Sequence, residues 1–237
     1  MSQITITATD GSGTFSAYVA RPTGEMIARR PHPVVIAIQE IFGVNQVMRD
    51  ICDDLAQLGL IAVSPDLFWR QEPGIDITDK TQAEWDRAFQ LYQNFNEADG
   101  IEDLKATIAV ARGLEDANGQ VATVGYCLGG KLAYLCATRT DADCNVGYYG
   151  VGIEAALGEA PAISKPLMLH IAEKDQFCPP DAQATIKAAL AGNSLVTLHS
   201  YPGTDHAFAR IGGAHYDHEA AEIANGRTRE FLDAHLV

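Results

Sequence analysis

Short apolar runs, half of them without a polar interruption, limit this chain more than any other feature. Val34-Val35-Ile36-Ala37-Ile38 is the first, and comparable runs return at Leu60–Val63, Val121–Gly125, Val146–Tyr149, Leu167–Ile171 and Val196–Tyr201. A strand with one wet face alternates apolar and polar residues. A strand lacking that alternation is covered on both faces, as in parallel sheets. Helical periodicity fills the intervals, at about 45–58, 81–95, 99–116, 129–138, 180–191 and 215–236. Strands that alternate with helices of this length need crossover connections, which predicts a mostly parallel central sheet with helices on both faces. The start of the chain differs. Ile4 and Ile6, then Phe15, Ala17 and Val19, flank Asp10-Gly11-Ser12-Gly13, which predicts an N-terminal antiparallel hairpin. The only linker-like stretch, Pro22–Pro33, is too short to separate domains, so a single α/β domain over residues 1–237 is expected.

Charge narrows the partners. Lys and Arg number 17 against 31 Asp and Glu, a formal net charge of −14. Such a surface repels phosphate backbones and anionic lipid, so neither nucleic acid nor membrane is expected as a partner. A small anionic substrate stays possible, because one buried arginine can dominate a local field. The five cysteines contain no C-x-x-C pair, which argues against a zinc ribbon or a dithiol redox motif. The first residues show neither a basic nor an apolar leader region, and no apolar run approaches the ~20 residues that span a bilayer. A cytoplasmic location with reduced thiols is the expectation.

In open α/β sheets, ligands bind beyond the carboxyl ends of the strands, so the loops after the apolar runs carry the interest. Gly125-Tyr126-Cys127-Leu128-Gly129-Gly130 follows one run and opens a helical pattern. This is the setting of a nucleophile elbow, G-x-S-x-G, with cysteine in place of serine. The small residues let strand and helix approach around a sharp turn. The helix N-terminus behind Cys127 favours negative charge there.

On such a fold the acid and the histidine follow the nucleophile in that order. Asp175 stands in the loop after Leu167–Ala172, and His206 stands in the turn after Val196–Tyr201. Asp175 could instead cap the next helix, and Asp205 could compete as the acid. A fourth loop, Gln39-Glu40-Ile41-Phe42-Gly43, follows the first run, where a second oxyanion N–H is expected. A carboxylate beside that donor, Glu40, would repel a developing oxyanion unless it served proton transfer.

Together, Glu40, the Gly125–Gly130 elbow, Asp175 and His206-Ala207-Phe208-Ala209-Arg210 resemble the dienelactone hydrolases (carboxymethylenebutenolidases) of the α/β-hydrolase superfamily. The resemblance runs from about residue 12 to the end of the chain. It implies a hydrolase that opens a dienelactone to maleylacetate in aromatic or chloroaromatic breakdown, with no cofactor and no metal. By that resemblance Cys127 is nucleophile, His206 base and then acid, and Asp175 the orienter of the imidazole. Glu40 assists deprotonation of Cys127, and the backbone N–H groups of Leu128 and Ile41 form the oxyanion hole.

The family holds a substrate carboxylate with two arginines. Arg210 matches one, whereas Trp85 stands at the other, with Arg87 two places on. Trp85, Phe89 and Tyr92 could build an aromatic wall of the substrate pocket, while Phe89 and Tyr92, at i and i+3 on a helix, could equally be core-face residues. The substrate class is a small lactone or ester, carboxylate-bearing, and the assembly a monomer or small homo-oligomer. Two alternatives stand beside this reading. One is a cysteine esterase or lactonase of the same fold acting on another ester, lactone or thioester. The other is a non-catalytic thiol, redox or binding protein on the same scaffold.

Overall fold

The computed structural model describes residues 2–236. Among them are eight β-strands and six α-helices, and the chain divides into two compact units, Met1–Ala122 and Thr123–Val237.

In the first unit, β1 (Ser2–Thr7) and β2 (Thr14–Ala20) form the antiparallel hairpin, with Ser2 opposite Val19 and Thr7 opposite Thr14. Asp10 caps the turn by accepting from the Ser12 backbone N–H (2.9 Å), and Gly11 takes φ +76°. β2 pairs antiparallel with β4 (Ile61–Pro65), which pairs parallel with β3 (His32–Ile38). Val34 through Ile38 are wholly buried, which explains why the run shows no polar alternation. Each Val or Ile among them contributes roughly 1.5–3 kcal/mol through burial. The helices are α1 (Gln46–Gln57), α2 (Gln82–Gln93) and α3 (Glu97–Arg112). Their N-caps are Asn45, Thr81 and Asn96, each with a side-chain oxygen accepting from a first-turn N–H.

β5 (Ala117–Tyr126) carries the chain from the first unit into the second. There β6 (Cys144–Tyr148), β7 (Leu167–Ala172) and β8 (Val196–Tyr201) run parallel, in register Tyr148–His170–His199. Their helices are α4 (Leu128–Arg139), α5 (Pro180–Leu190) and α6 (His218–His235).

Two expectations are corrected. The helix expected over 99–116 stops at Arg112, where Gly113 forms the C-cap, and Ala117–Gln120 belong to β5. The last helix starts at His218 rather than 215, because the Asp217 side chain caps it by accepting from the Ala220 N–H. Two 3-10 segments, Gly24–Arg29 and Ile153–Ala162, have no counterpart in the periodicity.

Candidate active site

The turn from β5 into α4 is built by close backbone approach. A Cβ on Gly125 would lie 1.9 Å from the Gly129 carbonyl oxygen, and one on Gly130 would lie 2.4 Å from that of Tyr148. Only glycine fits at either place. Between them Cys127 adopts φ +56°, ψ −112°, a conformation an L-residue takes only when its surroundings enforce it. The enforcement is visible. The Cys127 N–H donates to Tyr148 O (3.1 Å), and the Cys127 carbonyl accepts from Gly130 (3.0 Å) and Lys131 (3.3 Å). Leu128 is the first residue of α4, so its N–H has no partner within the helix.

Two loops bring the other groups to the same end of the strands. After β7, the N–H of Glu173 donates to Tyr201 O and that of Lys174 to Thr204 O (2.8 Å), which ties the Asp175 loop to the His206 loop. The Gln183 side chain on α5 donates to the carbonyls of Ala172, Glu173 and Cys178 and so pins the first loop from behind. Asp175 Oδ2 lies 2.7 Å from His206 Nδ1, and Asp175 Oδ1 accepts from the Phe177 N–H at 2.8 Å. The Cys127 side chain lies close enough to the His206 imidazole to favour its protonated form. The structure therefore brings Cys127, His206 and Asp175 into one chain of contacts, all three buried.

Burial alone would push the His206 imidazole below its usual range. The charge of Cys127 and the Asp175 hydrogen bond outweigh it and raise the pKa to about 10. Asp205, the competing acid, turns elsewhere. It accepts from the His206 backbone N–H (2.7 Å) and faces His215 at 3.5 Å. Asp175 lies before α5, whose N-cap is Pro179, and so does not cap that helix.

Arg210 is buried in the same unit, its N–H bonded to Ala207 O (2.9 Å). Cys178 lines a small pocket with Tyr149, Leu169, Ala172, Asp175 and Ile186. Burial first, then Asp175 and Glu154, push its thiol up to about 12. Burial does the same for Cys144, and it raises Cys52 strongly. These are protonated packing groups.

The remaining candidates belong to the first unit. Glu40 and Ile41 are buried in the loop after β3. Gln39 holds that loop by accepting from the Leu67 N–H (3.0 Å). Gly43 seals its end: at φ +76° a Cβ there would meet Ile75 O at 1.9 Å. On α2, Trp85 stacks on Phe89 (centroids 5.5 Å) and meets Phe42 edge-on (5.1 Å). The Trp85 indole N–H donates to Asp79 O at 3.0 Å. Tyr92 is half-buried one turn further along. Arg87 points away from the aromatic stack, paired with Glu72 and bonded to Gln90 (2.7 Å).

Sequence reasoning missed Phe177, Tyr149 and Gln183. Gln183 and Phe177 had no motif to mark them. Tyr149 carries one signal, its place at the end of an apolar run just past β6.

These features define a class of protein: a hydrolase of α/β-hydrolase-like fold, with a mostly parallel set of strands and an antiparallel N-terminal hairpin. The dienelactone hydrolase family model matches residues 15–236. An Azospirillum brasilense protein with the name "Putative carboxymethylenebutenolidase" is 53% identical over 240 residues, covering 100% of both chains. "Carboxymethylenebutenolidase 1" of Cupriavidus pinatubonensis is 39% identical over 97% of this chain and 95% of its own. A crystal structure from Klebsiella pneumoniae, described as a "Putative Dienelactone Hydrolase", superposes with a TM-score of 0.81 at 28% identity, covering 98% and 99% of the two chains. The chain belongs to the dienelactone hydrolase family. It is an ester or lactone hydrolase acting on a small molecule. Among the described residues, no helix is long and apolar enough to cross a membrane.

Proposed function

We propose that this chain opens a carboxylate-bearing dienelactone to maleylacetate, in the breakdown of aromatic or chloroaromatic compounds, through Cys127, His206 and Asp175. The observation that carries the proposal is Cys127 on its strained turn beside His206, whose Nδ1 lies 2.7 Å from Asp175 Oδ2. With the proton held by His206, the Cys127 sulfur attacks the lactone carbonyl carbon. The carbonyl oxygen becomes an oxyanion that backbone N–H groups stabilise. Collapse breaks the ring C–O bond, leaves a thioester on Cys127 and releases an enolate, which takes a proton and becomes the ketone. Water then attacks the thioester while His206 takes its proton. The thiolate leaves, and the carboxylic acid is released.

An enolate is a good leaving group. This suits cysteine, whose thiolate would itself be expelled in preference to a poor alkoxide. The Leu128 N–H, free of an intrahelical partner at the start of α4, supports one oxyanion donor. Family membership supports two further roles: the Ile41 N–H as second donor, and Glu40 as the group that assists Cys127 deprotonation once substrate is bound. Buried Arg210 supports recognition of a substrate carboxylate.

A second reading is favoured by one observation. Trp85, stacked on Phe89, stands where the family carries a second arginine, and Arg87 is engaged by Glu72. A less polar ester or lactone, seated on Trp85, Phe89 and Tyr92, would suit that wall.

The test is steady-state hydrolysis of a dienelactone beside a neutral aryl ester of similar size, with Cys127→Ala as control. The dienelactone should lead in kcat/KM by at least ~10-fold, about 1.4 kcal/mol of transition-state binding. The variant should turn over neither. Equal rates on both substrates would move the assignment to the second reading. Stoichiometric labelling of Cys127 without turnover of any activated ester would leave only a thiol or binding role.

A further inference from the structure

Two aromatic rings touch the His206 imidazole. Tyr149, itself 2% exposed, lies with its ring centroid 5.2 Å away at 66°, on the core side. Phe177 lies closer, at 4.9 Å and 73°, and is itself 36% exposed, so the solvent-facing neighbour of the imidazole is an aromatic residue. His206 is buried although it sits in a surface loop.

Phe177 has a second connection to the same group. Its backbone N–H donates to Asp175 Oδ1 (2.8 Å), while Oδ2 of that carboxylate holds His206 Nδ1. The two-residue turn from Asp175 to Phe177 thus fixes the ring relative to the carboxylate. The Gln183 bonds to the carbonyls on either side hold the turn in place.

We propose that Phe177 is a positioning residue: its ring closes the solvent side of His206 and keeps water off the His206–Asp175 hydrogen bond. A hydrogen bond to a charged partner strengthens as water is excluded and weakens as water competes. The ring also restricts imidazole rotation, which keeps Nε2 turned to Cys127. The consequence for turnover rests on the Cys127–His206–Asp175 reading proposed above. The shielding itself does not.

The experiment separates the two. In Phe177→Ala the backbone N–H bond to Asp175 can persist, so only the ring is lost; Phe177→Tyr restores a ring. Proton NMR follows the downfield Nδ1–H of His206, a proton seen only while its exchange with water is slow. The resonance should be present in wild type and Phe177→Tyr, and broadened or lost in Phe177→Ala. kcat should fall about 10-fold in Phe177→Ala, with KM for a small neutral ester within twofold and melting within a few degrees of wild type. Phe177→Tyr should recover most of the rate. An unchanged resonance in Phe177→Ala overturns the proposal, whatever happens to kcat. So does a lost resonance with an undiminished kcat in an enzyme that still depends on Cys127. If Cys127→Ala remains active, the nucleophile reading fails while the NMR comparison still decides the shielding.

Discussion

Asp175 and His206 are 31 positions apart in the chain, yet Oδ2 of one lies 2.7 Å from Nδ1 of the other, with both side chains almost completely buried. The Lys174–Thr204 backbone bond, which joins their two loops, sets that spacing. Because Asp175 Oδ1 is already satisfied by the Phe177 N–H, the carboxylate cannot rotate away without losing a second bond.

Asp175→Asn keeps the size of the side chain and removes its charge. The contacts with Cys127 and Asp175 favour protonated His206 against the effect of burial. Deleting the Asp175 charge therefore lowers the imidazole pKa. The alkaline limb of the wild-type rate, set by loss of the His206 proton near pH 10, should move down by a pH unit or more. The wrong imidazole tautomer should also cost kcat about 10²-fold or more, or ~2.7 kcal/mol of barrier. Rate profiles from pH 6 to 10.5, corrected for spontaneous hydrolysis, provide the check. An unmoved limb would show that Asp175 does not set this proton.

Arg210→Ala should discriminate between substrates. A charge-assisted hydrogen bond from a buried guanidinium to a substrate carboxylate is worth ~1.5–3 kcal/mol, so KM for a carboxylate-bearing lactone should rise by ~10-fold or more. A neutral ester of the same size should change by less than twofold. Equal losses on both would mark Arg210 as a packing residue of its loop.

The regions of this molecule legible in its sequence are those whose environment leaves a local trace. Val34–Ile38 could be read because burial on both faces abolishes alternation. Cys127, Asp175 and His206 could be read because each stands directly beyond a strand in a required order. Ala117–Gln120 could not, since Asn118-Gly119 reads as a turn, and Gly119 takes φ +86° within β5. Nor could Ile153–Ala162, whose Ala, Gly and Pro give no period. Phe177 and Gln183 act through contacts that folding creates, and spacing carries no trace of them. Trp85 was visible as a departure from a pattern, but its stacking on Phe89 belongs to the fold.

Asp103 should prove a stability residue rather than a functional one. It is wholly buried on α3 and accepts from the Trp69 indole N–H (2.7 Å) and from Arg70 Nε (2.9 Å) and Nη2 (2.7 Å). Arg70 lies over the Trp69 ring at 4.6 Å. Asp103→Ala orphans three donors. Breaking a buried pair costs about 3–5 kcal/mol, but Arg70 is one-fifth exposed and can regain water, so a loss of ~2–3 kcal/mol is expected. Urea unfolding should show it, with the kcat of the surviving folded fraction unchanged. A loss below ~0.5 kcal/mol would sink the account.

His170 should make the protein acid-sensitive. Its ring sits between β6 and β8, with Nδ1 2.7 Å from the Tyr201 hydroxyl and Nε2 2.9 Å from that of Thr228. The Thr228 oxygen also meets the Tyr148 hydroxyl at 2.6 Å. Burial, then His199 stacked at 5.7 Å, then Arg227 all disfavour a charged imidazole, so its pKa lies well below the ordinary value. In the unfolded chain the same ring takes up a proton near pH 6.5. Below that pH the unfolded state binds more protons than the native state. Stability is therefore full at neutral pH and drains as pH falls, by up to ~1.4 kcal/mol per pH unit for this one group. His199, shifted the same way by burial and Arg227, adds a smaller loss. His170→Gln keeps a hydrogen-bonding side chain and removes the titration. Urea midpoints at pH 7, 6 and 5 should fall steeply in the wild type and about half as steeply in His170→Gln, although the variant starts lower at pH 7. Parallel slopes in the two proteins would show that protonation of His170 does not drive the acid loss.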